Sequence, residues 1–134
     1  MRVRCVRDLP TPEQAASLNP FYMPGRGQVF AVDLGREYTV YCVISAPVGP
    51  LLGIRDEYDQ LFPTPLCLFE IADASLPADW VARAGPDGAL AIEPPSFHAD
   101  YFMDLAEGKP ETVADFRRVQ ALLEPDATAR APEA

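Results

Sequence analysis

Between residues 32 and 80, glycine, proline and acidic turns divide the chain into short β-type runs. These are Val-Asp-Leu-Gly-Arg-Glu-Tyr-Thr-Val-Tyr-Cys-Val-Ile at 32–44, Leu-Leu-Gly-Ile-Arg at 51–55 leading into Asp-Glu-Tyr-Asp, and Leu-Cys-Leu-Phe-Glu-Ile-Ala-Asp at 66–73. Proline fixes φ and has no amide donor, so Pro47, Pro50, Pro63 and Pro65 argue against a helix through this stretch. Parallel strands need crossover connections of about a dozen residues or more, and the gaps here are shorter. The pattern predicts antiparallel strands joined by tight turns in a strongly curled sheet.

The first residues alternate Arg2, Val3, Arg4, Cys5, Val6 and Arg7, the period of a half-buried strand with Val3 and Cys5 on one face. Thr11-Pro12-Glu13-Gln14 has a hydroxyl, a proline and a glutamine spaced for a capping box, which predicts a short helix over 12–18 ended by Asn19-Pro20. A strand is expected at 28–32. A longer, central one follows over 37–45, with Tyr38, Val40, Cys42 and Ile44 on one face and Thr39, Tyr41 and Val43 on the other. Pro47, Gly49 and Pro50 break it; 51–55 supplies its partner. Pro63 and Pro65 are expected to interrupt the ladder before 66–71 resumes it. Residues 80–83 and 89–93 flank Asp87-Gly88 as a hairpin.

Ser96 is placed to cap a helix containing Tyr101, Phe102 and Leu105 and ended by Gly108. A second helix over 110–123 presents Val113, Phe116, Val119, Gln120, Leu122 and Leu123 as an amphipathic stripe. Pro125 stops it, and 125–134 reads as a disordered tail. Strands first and helices last predict an α+β fold: one domain over 1–124, with a curled antiparallel sheet or partial barrel and C-terminal helices.

Twenty acidic against eleven basic residues give a net charge of -9, a field that repels nucleic acid and attracts cationic partners. Cys5, Cys42 and Cys67 sit in apolar runs without metal-ligand spacing, the pattern of buried free thiols in a reducing compartment. The opening residues lack the apolar region of a secretion signal, and no apolar run is long enough to span a bilayer. A soluble, cytoplasmic protein without membrane contact is expected.

Asp56, Glu57 and Asp59 are the densest charge cluster and enclose Tyr58, the kind of aromatic anchor that interfaces favour; Asp73 and Asp79 lie close in sequence. The loop lacks the glycine and alternate-oxygen spacing of a calcium site. His98 is the single histidine; Ser96 and Asp100 are two residues to either side, and such neighbours do not face one another on a helix. No catalytic set, metal site or cofactor motif is predicted. Phe21, Tyr22, Met23 and Phe62 are loop aromatics and apolar residues suited either to closing a core or to a contact surface, and Trp80 is expected in the core with its indole N–H at the rim.

Leu-Gly-Arg-Glu-Tyr-Thr-Val-Tyr at 34–41, Pro-Thr-Pro-Leu-Cys-Leu-Phe-Glu-Ile-Ala-Asp at 63–73 and Leu-Pro-Ala-Asp-Trp at 76–80 resemble stretches of small bacterial proteins of uncharacterised or immunity type. Some of those accompany polymorphic or contact-dependent toxins. This chain has Arg36 and Ala78 where their pattern has lysine and serine, and it adds the segment 12–28. The resemblance implies an SH3-like sheet in a protein that blocks another protein. The leading expectation is an immunity protein that binds a toxin's basic cleft through Asp56, Glu57, Tyr58 and Asp59, with Asp73 and Asp79 in support. The alternatives are an SH3-like structural or adaptor module that binds a peptide or protein, and an enzyme working through paired carboxylates.

Overall fold

Residues 1–14, 30–55, 60–85 and 88–124 are described by a computed structural model. The alternation at the start of the chain forms β1 (Arg2–Cys5), with Val3 and Cys5 buried and the arginines outside. It pairs antiparallel with β2 (Glu37–Thr39) on one side and with β6 (Phe69–Asp73) on the other, making a three-stranded sheet. The second sheet has five strands. In spatial order they are β5 (Leu61–Pro65), β4 (Gly49–Arg55), β3 (Cys42–Ala46), β8 (Leu90–Glu93) and β7 (Val81–Ala84), all antiparallel. A 3-10 turn (Leu66–Leu68) leads into β6, and α1 (Tyr101–Ala106) and α2 (Pro110–Leu123) end the described chain. The fold is α+β, and neither sheet closes into a barrel.

The expected strand over 37–45 is two strands, one in each sheet. Val40 N–H donates to Met1 O (3.0 Å) in the small sheet, and Tyr41 N–H donates to Gly53 O (2.8 Å) in the large one. Consecutive donors are thus handed to different sheets, which breaks the period of two. Val40 joins Tyr38, Val3, Leu52, Ile54 and Leu68 in one core, whereas Tyr41 and Cys42 join Leu61, Phe97, Tyr101 and Phe116 in another. The expected shared face of Val40 and Cys42 is corrected accordingly. Phe30 and Val32 are buried in the first core without forming a strand, so the described part of the strand expected at 28–32 is not realised.

The five-stranded sheet is therefore the middle layer. Leu52 and Ile54 on β4 face the small sheet, and Gly53 between them faces the helices. A Cβ at position 53 would run into Cys42 Sγ and lie 3.2 Å from Phe102 Cζ, so the glycine lets α1 approach the sheet. Burial pushes the Cys42 thiol up to about 12, and it stays protonated as a packing residue. On the same face Arg83 donates to the buried Glu93 carboxylate through Nε (3.0 Å) and Nη2 (3.2 Å), tying β7 to β8.

Three prolines expected to break strands lie inside them. Pro63 and Pro65 occupy β5, an edge strand, where a missing donor is tolerated on the side away from β4. Pro50 lies beyond the last β5 partner, Leu51 opposite Pro65, so no strand faces it on that side. The hairpin of β7 and β8 forms as expected, with Val81 opposite Glu93 and Ala84 opposite Leu90.

Gly108, at a φ of 74°, follows α1, and α2 has proline in its first turn. Ser96 is not the cap of α1: Asp100 precedes that helix, and the Ser96 hydroxyl donates instead to Asp115 Oδ2 (2.7 Å) on α2. Phe116 and Val119 are buried as the stripe predicts, but Leu122 is 68% exposed. The capping box is present, with Gln14 N–H donating to Thr11 Oγ1 (3.3 Å) and Thr11 N–H donating to Gln14 Oε1 (2.9 Å). The remainder of the helix expected at 12–18 and the tail at 125–134 lie outside the described residues.

Gly53→Ala should cost about 1–3 kcal/mol, the usual penalty of overpacking a tight contact. Urea denaturation of both proteins measures it, and an unchanged midpoint would contradict this packing of α1 on β4.

Candidate functional site

Helix α1 lies beside the edge strand β5, and between them runs a groove of about 720 Å³ lined by Leu61, Phe62 and Pro63 from the strand and Phe102, Met103 and Ala106 from the helix. Period-two alternation sends Leu61 into the core and Phe62 outward at 45% exposure. Met103, on the opposite wall, is 62% exposed. Both residues line the groove, but Phe62 lies opposite Ile54 in the register, on the sheet face turned away from α1, so its ring stands at the groove's edge while Met103 stands on its helix wall.

A six-residue helix is too short to hold itself, so α1 depends on its anchors. Tyr101 is the main one. Its ring stacks on Phe97 at 3.9 Å between centroids, and its hydroxyl donates to Asp115 Oδ2 (2.7 Å). Asp115 also accepts from Ser96 Oγ and from Arg118 Nη2 (2.8 Å). Burial pushes Asp115 up, but the donors Arg118, Ser96 and Tyr101 outweigh it and hold the carboxyl below its usual range. Burial, then the Asp115 carboxylate, pushes the Tyr101 phenol upward, so it remains a donor. At the other end of α1, Asp104 receives Lys109 Nζ at 3.0 Å and lies 3.7 Å from His98 Nε2.

The sequence candidates disperse over this frame. Asp56, Glu57, Tyr58 and Asp59 lie outside the described residues; the chain leaves at Arg55, the last residue of β4, and is described again from Gln60, which lines the groove. Asp73, at the end of β6, is exposed and accepts from Ser75 N–H (3.0 Å) and from the Ser75 hydroxyl, which hold its carboxyl below its usual range. Asp79 is exposed in the loop before β7, close enough for its charge to act on Arg118. Neither Asp73 nor Asp79 lines the groove. Ser96 and His98 turn to different carboxylates, Asp115 and Asp104. Phe21, Tyr22 and Met23 are outside the described residues, and Trp80 packs half-buried against the first core.

Met103 is the groove residue that sequence reasoning passes over. Five of the six residues of this helix are apolar or aromatic, so no stripe singles out Met103, and its exposure follows from where Tyr101 and Gly53 set the helix. Among the described residues no group of three or more His, Cys, Asp or Glu side chains is placed to hold a metal ion, and no helix is long and apolar enough to cross a membrane.

Asp115→Asn tests the anchor. A carboxyl held low in the folded state contributes stability above its unfolded pKa of about 4 and loses it as pH falls through the folded value. The substitution should cost about 1–3 kcal/mol near neutral pH, as expected for losing charge-assisted hydrogen bonds. The difference from the parent should shrink in acid, as read by urea denaturation at both pH values; a pH-independent difference would contradict the assignment.

Comparison with protein-family models, with curated proteins and with solved structures finds no significant match.

Proposed function

We propose that this protein is a binding module that docks a cationic protein partner along the groove between β5 and α1, and that it acts as an immunity protein occupying the basic cleft of a cognate bacterial toxin. The observation that carries the reading is the groove itself, lined by apolar residues of β5 and α1, with Met103 62% exposed on its helix wall and Phe62 45% exposed at its strand edge. Aromatic residues and methionine are the types enriched at protein interfaces. Asp56, Glu57, Tyr58 and Asp59 immediately precede Gln60 in the sequence, and Gln60 lines the groove. A chain of net charge -9 steers a basic partner toward it, and acidic side chains at a rim act mainly on the association rate.

The edge strand favours recognition by side chains over strand addition. Pro63 and Pro65 remove two backbone donors from β5, so a partner strand would find an incomplete ladder there. Asp73 and Asp79, away from the groove, contribute under this reading to the overall field. The adaptor alternative uses the same groove, and the partner's chemistry separates the two.

Co-expression with a toxin encoded beside this gene tests the reading. The wild-type chain should protect the cells, and a Phe62→Ala, Met103→Ala double variant should bind the toxin at least about tenfold more weakly, the loss of roughly 1.4 kcal/mol expected of an interface anchor. Neutralising Asp56, Glu57 and Asp59 together should slow association more than it speeds dissociation. Lack of protection by the wild-type chain would contradict the immunity role, and full affinity in the double variant would contradict the groove.

A further inference from the structure

Among the described residues, Asp100 is the one charged residue that lines the groove between β5 and α1. It directly precedes α1, the position from which a side chain normally caps a helix, yet its carboxylate makes no cap hydrogen bond. It is exposed, and no hydrogen bond or ion pair engages it among the described residues. The two carboxylates that hold α1 are each matched by a cation, Asp104 by Lys109 Nζ at 3.0 Å and Asp115 by Arg118 Nη2 at 2.8 Å. Asp100 alone among these three keeps its charge open, and it does so on an apolar surface.

The strand wall constrains the form of an occupant. Pro63 lines the groove, and with Pro65 it leaves β5 without two of the donors that an added strand would need. An occupant must therefore satisfy its own backbone groups and meet the groove through side chains, which is what an α-helix does. The size agrees. The six residues of α1 span about 9 Å at 1.5 Å per residue, and an apolar face repeating at i, i+3, i+4 and i+7 covers about the same distance.

Resting on the docking role given above to this groove, we propose that its occupant is an amphipathic helix whose apolar face packs on Pro63, Phe102 and Met103, and that Asp100 selects it by pairing with one lysine or arginine on the flank of that face. Asp100 is then a specificity-determining residue: a basic flank gains an ion pair, and an acidic one meets repulsion. Asp100 stands at one end of the helix wall and Ala106 at the other, so the position of the cation on the occupant also sets which way that helix runs.

Three end-blocked synthetic peptides test the proposal, each an alanine-glutamine helix with leucines at i, i+3, i+4 and i+7, differing only in a flanking lysine, glutamine or glutamate. Amide-resolved NMR titration of the full chain with the lysine peptide should give saturable shifts at Leu61, Phe62 and residues 99–106. Affinity should fall about two- to fivefold from the lysine to the glutamine peptide, the value of a partly exposed ion pair, and again to the glutamate peptide. Asparagine serves before a helix as well as aspartate does, so Asp100→Asn keeps the fold; it should bring the lysine peptide down to the glutamine peptide's affinity. Glu70→Gln makes the same change in net charge on the outer face of the small sheet and should preserve the order. Equal affinity for the lysine and glutamate peptides, a lysine preference that survives Asp100→Asn or vanishes in Glu70→Gln, or tighter binding of a peptide of the same composition with leucine at every second residue would each overturn the proposal. So would the absence of groove shifts with all of the peptides. Docking itself is read separately, by the Phe62→Ala, Met103→Ala variant against the toxin, so the two failures are distinguishable.

Discussion

The division of labour between two adjacent amides, Val40 N–H bonded to the small sheet and Tyr41 N–H bonded to the large one, is the constraint on which this architecture rests. An uninterrupted strand would place Val40 and Cys42 on one face and give the molecule a single continuous sheet. The handover instead lets both residues be fully buried in different cores, so the five-stranded sheet carries a sheet on one face and helices on the other. It also brings Tyr41 against Phe116 of the helical layer.

The groove inherits its shape from that layering. Helix α1 would be marginal alone, and it is located by three things: the missing side chain at Gly53, the stack of Tyr101 on Phe97, and the Asp115 carboxylate that gathers Ser96, Tyr101 and Arg118. The glycine acts sterically and the carboxylate through hydrogen bonds, while the stack buries two aromatic rings in the second core. Together they leave Phe102 packed inward and Met103 turned out to solvent. The proposed docking surface is therefore a by-product of how a short helix is pinned.

Local rules made much of the frame legible. The alternation of β1, the capping box at Thr11, the hairpin of β7 and β8, and the proline opening α2 follow from spacing within a few residues, and the strand-then-helix order announced the α+β class. What escaped depends on tertiary context. No glycine or proline marks the break after Thr39, because Val40 and Tyr41 are good strand residues whose donors simply face different partners. Pro63 and Pro65 read as interruptions until β5 is known to be an edge. Ser96 looks like a helix cap because its true partner, Asp115, is nineteen residues away. The acidic cluster was visible as composition, but nothing in the spacing shows that Asp73 and Asp79 stand away from the groove while Asp100 lines it.

Hydrogen exchange under native conditions, followed at the Val40 and Tyr41 amides, tests the handover most directly, because exchange free energy reports the smallest opening that frees each donor. If both sheets are locked through this dipeptide, the two amides exchange together, with the free energy of global unfolding. A Tyr41 amide that exchanges through a lower-energy opening while Val40 stays protected would show that the sheets part independently, and would contradict the account.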